Sequence, residues 1–100
     1  MKENIIITKS YAFALMTVKF CFEIQEKRKE YVISRQLLKS ATSIGANIEE
    51  AQGSISKAEF ISKVQIALKE AKETKYWLRL IIDAEVYQNE FLEQLLKDCN

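Results

Sequence analysis

The sequence predicts an all-α protein, an antiparallel up-down-up-down four-helix bundle whose last helix is short. Proline is absent and there are two glycines in 100 residues, so little in the chain interrupts a helix. Apolar residues also recur at alternating spacings of four and three, which is the period of one helix face. We predict helices at about 10–27, 34–52, 56–84 and 89–99, within a single domain spanning residues 1–100.

The first predicted helix has large apolar residues on two opposite sides. At about 100° per residue, one side carries Phe13, Thr17, Phe20 and Ile24. The opposite side carries Tyr11, Leu15, Val18 and Phe22. One bundle core buries one of these sides, and the sequence leaves open which one. We expect the other to be a subunit interface, because exposed apolar surfaces of this size mark interaction sites.

Local signals predict what lies between the helices. Glu3–Lys9 contains three consecutive isoleucines and is expected to be an extended lead-in, because isoleucine favours strands. Ser34 is the predicted N-cap of the second helix. Gly53 is expected to end that helix in a left-handed conformation and to lead into a tight turn.

The third helix is the longest, and its start is well marked. Ser56 and Glu59 fit a capping box, and Ile55 and Phe60 fit a hydrophobic staple. The apolar stripe of this helix is Phe60, Val64, Ala67, Ala71, Thr74, Leu78 and Ile81. A stripe that long requires partner helices along its whole length.

Three segments together resemble a known family. Gln36–Ala51 reads QLLKSATSIGANIEEA, Glu59–Lys63 reads EFISK and Ile66–Leu80 reads IALKEAKETKYWLRL. This pattern is similar to the "four helix bundle protein" family, first noticed in proteins encoded within intervening sequences of bacterial large-subunit ribosomal RNA genes. The resemblance covers nearly the whole chain and implies an antiparallel four-helix bundle. The last helix ends at Asn100, sooner than the family pattern implies, so the far ends of the other helices are expected to lose cover.

The resemblance also implies partners. Members of this family, and the similar accessory proteins of diversity-generating retroelements, are barrel-like homopentamers, and those accessory proteins bind nucleic acid and a reverse transcriptase. We therefore expect this chain to bind copies of itself, with a pentamer as the expected assembly. RNA or DNA and a reverse-transcriptase-like protein are further partners implied by the resemblance. The family supplies no catalytic residues to carry over.

The third helix offers a second interface candidate and a set of cations. The candidate interface residues are Tyr11, Leu15, Val18 and Phe22 on the first helix and Ile66, Tyr76, Trp77 and Leu80 on the third. Trp77 either flanks the bundle core or makes a subunit contact, since aromatic residues are enriched at interfaces.

The candidate phosphate-contacting residues lie on all three of the first helices and the connection between the first two. They are Lys27, Arg28, Lys29, Arg35, Lys39, Lys57, Lys72, Lys75 and Arg79. The alternative is that they are solvated helix faces and helix ends, stabilised by local ion pairs and the helix dipole.

The composition argues against an enzyme. Histidine is absent, which removes the commonest general base and metal ligand. The two cysteines, Cys21 and Cys99, lie too far apart in sequence for a metal motif, and buried free thiols are expected. Glu49 and Glu50 could supply a carboxylate site only with difficulty, because adjacent helical residues diverge by about 100°. We expect no catalytic residue, no cofactor and no metal.

Charge and hydropathy narrow the remaining functions. The formal net charge is +1, which argues against a strongly electrostatic nucleic-acid binder but leaves local basic strips. No apolar run approaches the roughly 20 residues of a membrane span, so no membrane partner is expected, and the cytoplasm is the expected compartment. The leading function is a self-associating structural or adaptor protein that works with nucleic acid. The alternative is a protein-interaction module without a nucleic-acid role.

Overall fold

The computed structural model describes residues 2–87 and 92–99, with the side chains of residues 5–87 and 92–98. Within these residues the chain forms α1 (Lys2–Arg28), α2 (Val32–Gln52), α3 (Lys57–Asp83) and α4 (Leu92–Cys99), and no strand. The predicted all-α bundle with a short last helix is confirmed. The predicted start of α4 near Asn89 lies outside the described residues.

Neighbouring helices pack antiparallel, and polar contacts fix their register. Gln25 Nε2 donates to Ser34 Oγ at 3.1 Å between the adjoining ends of α1 and α2. The buried hydroxyls of Ser40 and Thr74 lie 2.9 Å apart where α2 meets α3. Further along the same pair, Lys63 Nζ donates to Glu50 Oε1 at 2.8 Å. α4 packs against both α3 and α1, which places α1 and α3 diagonally across the bundle.

The core settles the orientation of α1. Its buried side is the one with Phe13, Thr17 and Phe20, and the Thr17 hydroxyl donates to the Phe13 carbonyl, so its polar group is satisfied within the helix. The principal core residues from all four helices are Phe13, Phe20, Cys21, Ile24, Leu37, Ala41, Leu78, Ile81, Leu92 and Leu95. The opposite side of α1 therefore faces away from the core.

The stripe of α3 is buried over only part of its length. Ala67, Thr74, Leu78 and Ile81 are buried, but Phe60 is exposed and Ala71 is half-buried. α3 has 27 residues and is about 40 Å long, whereas the 8 residues of α4 span about 12 Å. Within the described residues, α4 therefore lies beside only part of α3.

The extended lead-in predicted for Glu3–Lys9 is wrong, because α1 already begins at Lys2. No proline or glycine separates this segment from the rest of the helix, so the backbone ladder continues through it. The strand preference of isoleucine is a weak bias that depends on a neighbouring strand, and the described residues offer none.

The predicted cap of α2 is also wrong. Both carboxylate oxygens of Glu30 accept backbone N–H groups, from Val32 at 3.0 Å and from Ile33 and Ser34 at 2.9 Å each. Glu30 therefore satisfies three first-turn donors, and α2 starts at Val32. Ser34 lies inside the helix, buried, and its hydroxyl donates to the Glu30 carbonyl at 2.8 Å.

The end of α2 and the start of α3 differ in part from prediction. Gly53, after α2, has a φ of −93° and is therefore not left-handed. The left-handed residues are instead Lys29, after α1, and Glu85, after α3, with φ of 55° and 54°. At the start of α3 the Ser56 cap is confirmed, because Ser56 Oγ accepts from the Glu59 N–H at 3.1 Å. The staple is wrong, since Ile55 is 94% exposed.

Replacing Glu85 with glycine is expected to stabilise the fold by about 0.5–1 kcal/mol, because Glu85 ends α3 in a left-handed conformation that glycine adopts without a Cβ clash. The N–H groups of Glu85 and Val86 bond to the Ile82 and Ile81 carbonyls at 3.1 Å each, which fixes this turn. The neighbouring Ala84→Gly is the control. Ala84 has a φ of −86°, so this change should destabilise. Urea unfolding measures both, and stabilisation by neither or by both variants would contradict the assignment.

Candidate interaction surfaces

The outer side of α1 exposes a row of large apolar side chains. Tyr11, Leu15 and Phe22 are 61%, 45% and 57% exposed, and Val18 between them is half-buried. We call these four residues the α1 strip. The row is about 16 Å long at 1.5 Å per residue. It points away from the core and lies against no other described element except the edge of α2.

A groove runs between the α1 strip and α2. It has a volume of about 520 Å³, and Tyr11, Leu15 and Val18 form one wall. Gly45 and Ala46 of α2 contribute to the groove. α1 passes close to α2 at Gly45, where a Cβ would make an ordinary van der Waals contact, 3.5 Å from the Ser10 carbonyl oxygen. Sequence periodicity identified the strip but not the groove, whose signal is the small residues of α2.

The second predicted interface extends over one side of α3, from Trp77 and Ile66 near the α2-facing edge to Tyr76, which is about 140° from Lys63 on the helix wheel. Tyr76 and Ile66 are 52% and 39% exposed, whereas Trp77 and Leu80 are half-buried. Trp77 packs against the core, meets Tyr76 edge-to-face with ring centroids 5.1 Å apart, and donates from Nε1 to Glu73 Oε2 at 3.2 Å. Trp77 therefore flanks the core; its subunit contact stays a prediction.

The two apolar surfaces lie on different edges of the protomer. Lys63 marks the side of α3 that faces α2, and Trp77 is within about 40° of it on the helix wheel. The α1 strip lies beyond the other edge of α2. A protomer with two different apolar surfaces can form head-to-tail contacts, which close into a ring when the rotation permits.

The nine candidate phosphate-contacting residues are all exposed, but they do not form one strip. Lys27–Lys29 lie at the end of α1, near Arg35 and Lys39 in the first turns of α2. The three cations at Lys72, Lys75 and Arg79 project from the side of α3 away from α2, about 120–180° from Lys63. Lys57 is on the same helix but about 22 Å from Lys72 along its axis.

Aromatic rings and a carboxylate lie beside the cations at the end of α1 and the start of α2. The guanidinium of Arg28 lies 6.0 Å from the Tyr87 ring centroid, and that of Arg35 lies 5.6 Å from Tyr31. The Tyr87 hydroxyl donates to Glu23, and this hydrogen bond is the main reason that the pKa of Tyr87 is raised. The positive charge at this end of the bundle is therefore partly balanced by neighbouring carboxylate.

The described residues show no arrangement for catalysis. Burial, with a smaller effect from Glu30, raises the pKa of the Cys21 thiol to about 12, so at neutral pH it is not a thiolate nucleophile. The described part of the chain holds no group of three or more metal-binding side chains. Glu50 is hydrogen-bonded to Lys63, which raises the pKa of Lys63, and it shares no such partner with Glu49. The Cys99 side chain lies outside the described residues.

One helix also meets the length and composition expected of a membrane span. An 18-residue window within Ile5–Arg28 of α1 has a mean hydropathy of 1.5, and 22% of that window is buried; a core helix of a bundle can show the same hydropathy. In this fold Phe13, Thr17 and Phe20 pack against the other helices, as core residues do. The absence of a membrane partner stays a prediction.

The fold and its surfaces define a class: an all-α four-helix bundle with exposed apolar edges. Within that class, residues 2–100 match the family model described as 23S rRNA-intervening sequence protein. The chain belongs to this family, as its sequence motifs indicate.

A solved structure supports the same fold. The chain is similar to a crystallised protein of unknown function from the S23 ribosomal protein family of Bacteroides thetaiotaomicron, with 46% sequence identity and a TM-score of 0.94. The similarity covers 99% of this chain and 88% of that one. Comparison with curated proteins gives no match.

Proposed function

We propose that this protein is a non-catalytic, self-associating helical scaffold, most simply a ring of five copies. The observation that carries the proposal is the α1 strip: Tyr11, Leu15 and Phe22 are large, apolar and exposed on the side of α1 opposite the core. Burying a side chain of this size is worth about 1.5–3 kcal/mol, so a second copy covering the strip would gain substantially. The number five comes from the family resemblance.

The second apolar surface supplies the complementary half of the contact. Tyr76 projects from α3 beside Trp77, and the groove along the α1 strip has small residues that leave room for a large side chain. A contact between unlike surfaces propagates from one copy to the next, unlike a self-complementary contact that stops at a dimer. Five equivalent contacts would close the ring.

Gel filtration coupled to light scattering at micromolar concentration tests the proposal. The expected result is a single species whose mass is a multiple of the 11.6 kDa protomer, and five-fold for the pentamer. A monodisperse 11.6 kDa species would overturn the proposal. The mass of a dimer would support a subunit interface but contradict the ring.

Within this scaffold, nucleic acid is the partner that the basic residues favour. Among the described residues, Lys72, Lys75 and Arg79 are exposed and in no ion pair. Three cations on one protomer bind phosphates weakly, but repetition around a ring makes such binding avid and sensitive to salt. A reverse-transcriptase-like protein is a further proposed partner, resting on the family resemblance alone.

Replacing Lys72, Lys75 and Arg79 together with glutamate is expected to abolish retention of RNA or DNA at low salt. The unmodified protein should lose affinity steeply as the salt concentration rises, because bound cations release counterions from the nucleic acid. Fluorescence anisotropy with a labelled oligonucleotide measures both. A protein that binds no oligonucleotide at low salt would favour the alternative, a protein-interaction module without a nucleic-acid role.

A further inference from the structure

The outer face of α2 carries a cation and a carboxylate at a fixed spacing. Glu49 lines the groove beside the α1 strip, and so does Thr42. Arg35 lies 14 residues before Glu49, so Thr42 is midway between the two charges. Fourteen residues are about four helical turns, or about 21 Å, and the three side chains fall within about 40° of one another on the helix wheel. In chain order this face therefore reads cation, groove residue, carboxylate.

The outer face of α3 carries the same pattern around a large side chain. Lys69 and Asp83 are also 14 residues apart, and Tyr76 is midway between them. All three are exposed, and they too fall within about 40° of one another on the helix wheel. In chain order this face reads cation, aromatic ring, carboxylate.

These four charges take part in no ion pair among the described residues. The ion pair in that part of the chain joins Lys63 to Glu50, the other carboxylate that lines the groove. Glu49 and Arg35 are both exposed, as are the two charges of α3. All four are therefore available to a second protein surface.

Two of the charges lie at the helix end where the helix dipole disfavours them. Arg35 is in the first turn of α2, where the N–H groups carry partial positive charge. Asp83 is the last residue of α3, where the carbonyl groups carry partial negative charge. Within one protomer each is therefore electrostatically unfavourable, and an opposite charge from outside would offset this.

Two copies bring these patterns into register when α3 of one lies antiparallel to α2 of the other. With Tyr76 opposite Thr42, the cation of each helix lies opposite the carboxylate of its partner, because both spacings are 14 residues. A parallel arrangement would instead place cation against cation and carboxylate against carboxylate, which is repulsive.

This arrangement also agrees with a closed ring. Because α2 and α3 are antiparallel within a protomer, neighbouring copies joined in this way point in the same direction. Within one protomer Thr74 lies opposite Ser40, so placing Tyr76 opposite Thr42 shifts the next copy by about four residues. That shift is about 6 Å, small against the 44 Å length of the protomer. Copies of one orientation at nearly one height can close into a ring.

We propose that charge pairing between α2 and α3 sets the direction and register of neighbouring copies. Glu49 of one copy pairs with Lys69 of the next. Arg35 of the first copy pairs with Asp83 of the second, and Tyr76 enters the groove between these pairs. This inference rests on the proposed self-association and names the residues that make it specific. The apolar contact supplies most of the affinity, and the charges exclude the reversed orientation.

Charge reversal tests the pairing, with the protein concentration at which the assembly dissociates as the readout. Analytical ultracentrifugation at low salt measures it. Glu49→Lys and Lys69→Glu are each expected to raise this concentration about tenfold, because like charges then face each other. Combined in one chain, the two changes restore opposite charges, and the value should return to within about threefold of that of the unmodified protein. Arg35→Glu and Asp83→Lys form a second set with the same expectations.

A mismatched double variant is the control. Glu49→Lys combined with Arg35→Glu leaves the net charge unchanged, as the restoring double variant does, but both contacts are then mispaired. It is expected to dissociate at a higher concentration than either single variant. Circular dichroism checks that each variant keeps its helix content, which the exposure of all four positions favours.

Equal dissociation of the restoring and mismatched double variants would overturn the proposal. Single variants that assemble as the unmodified protein does would overturn it as well. In both cases the unmodified protein would still be assembled, so the proposed function would stand. An unmodified protein that is monomeric would overturn the proposed self-association and this inference together.

Discussion

A variant carrying Leu15→Glu and Phe22→Glu is expected to run as a folded 11.6 kDa monomer under conditions in which the unmodified protein is assembled. Both side chains are exposed in the protomer, so the changes remove no core contact. In an assembly they would place two carboxylates in an apolar interface, where an unpaired charge is costly. Val18 is less suited to this test because it is half-buried beside α2.

Light scattering gives the mass of this variant, and circular dichroism gives its helix content. The matched control is Ile61→Glu with Leu68→Glu, which adds the same charge at exposed apolar positions of α3. The control should keep the mass of the assembly. Dissociation of the control alone, or an unfolded α1 variant, would mean that the interface has been placed on the wrong surface.

Leu78→Ala is expected to lower the free energy of unfolding by about 3 kcal/mol, within the 2–5 kcal/mol range of such changes. Leu78 is fully buried between α3 and its neighbours, and the truncation leaves a cavity that the close-packed core fills only in part. Thermal and urea unfolding, at one fixed protein concentration, measure the effect.

Leu68→Ala on the same helix is the control for that measurement. Leu68 is 60% exposed, so its truncation should change the free energy of unfolding by less than about 0.5 kcal/mol. Equal losses for the two variants would show that the core and outer faces of α3 are wrongly assigned.

Periodicity predicted the helices and most of the core because burial repeats with the helical period. Ala67, Leu78 and Ile81 are buried on α3 as their spacing indicates. The sequence also showed that α1 has two apolar sides. Which side meets the core was decided by packing against α2 and α4, and that information is not contained in the period of α1 alone.

The helix ends were predicted less well because several side chains compete for each cap. Glu30 displaces Ser34 as the cap of α2, because its carboxylate reaches three N–H groups and a hydroxyl reaches fewer. At the end of α2, Gly53 does not adopt the left-handed conformation that glycine favours. At the end of α3, Glu85 adopts that conformation although it carries a Cβ. The groove beside the α1 strip depends on the distance between helices, so helical periodicity does not show it, and its signal in the sequence is the small residues of α2.

Accessibility of residue 15 tests the central claim most directly, since the claim is that the α1 strip is buried between copies. A Leu15→Cys variant keeps a small apolar side chain there, and its alkylation rate is read by mass spectrometry of the peptide containing residue 15. Val32→Cys, at a 74% exposed position in the first turn of α2 and outside both apolar surfaces, is the reference. We predict that Cys at position 15 reacts at least tenfold more slowly than the reference at micromolar concentration and as fast on dilution to the monomer. Equal rates at micromolar concentration would contradict the account.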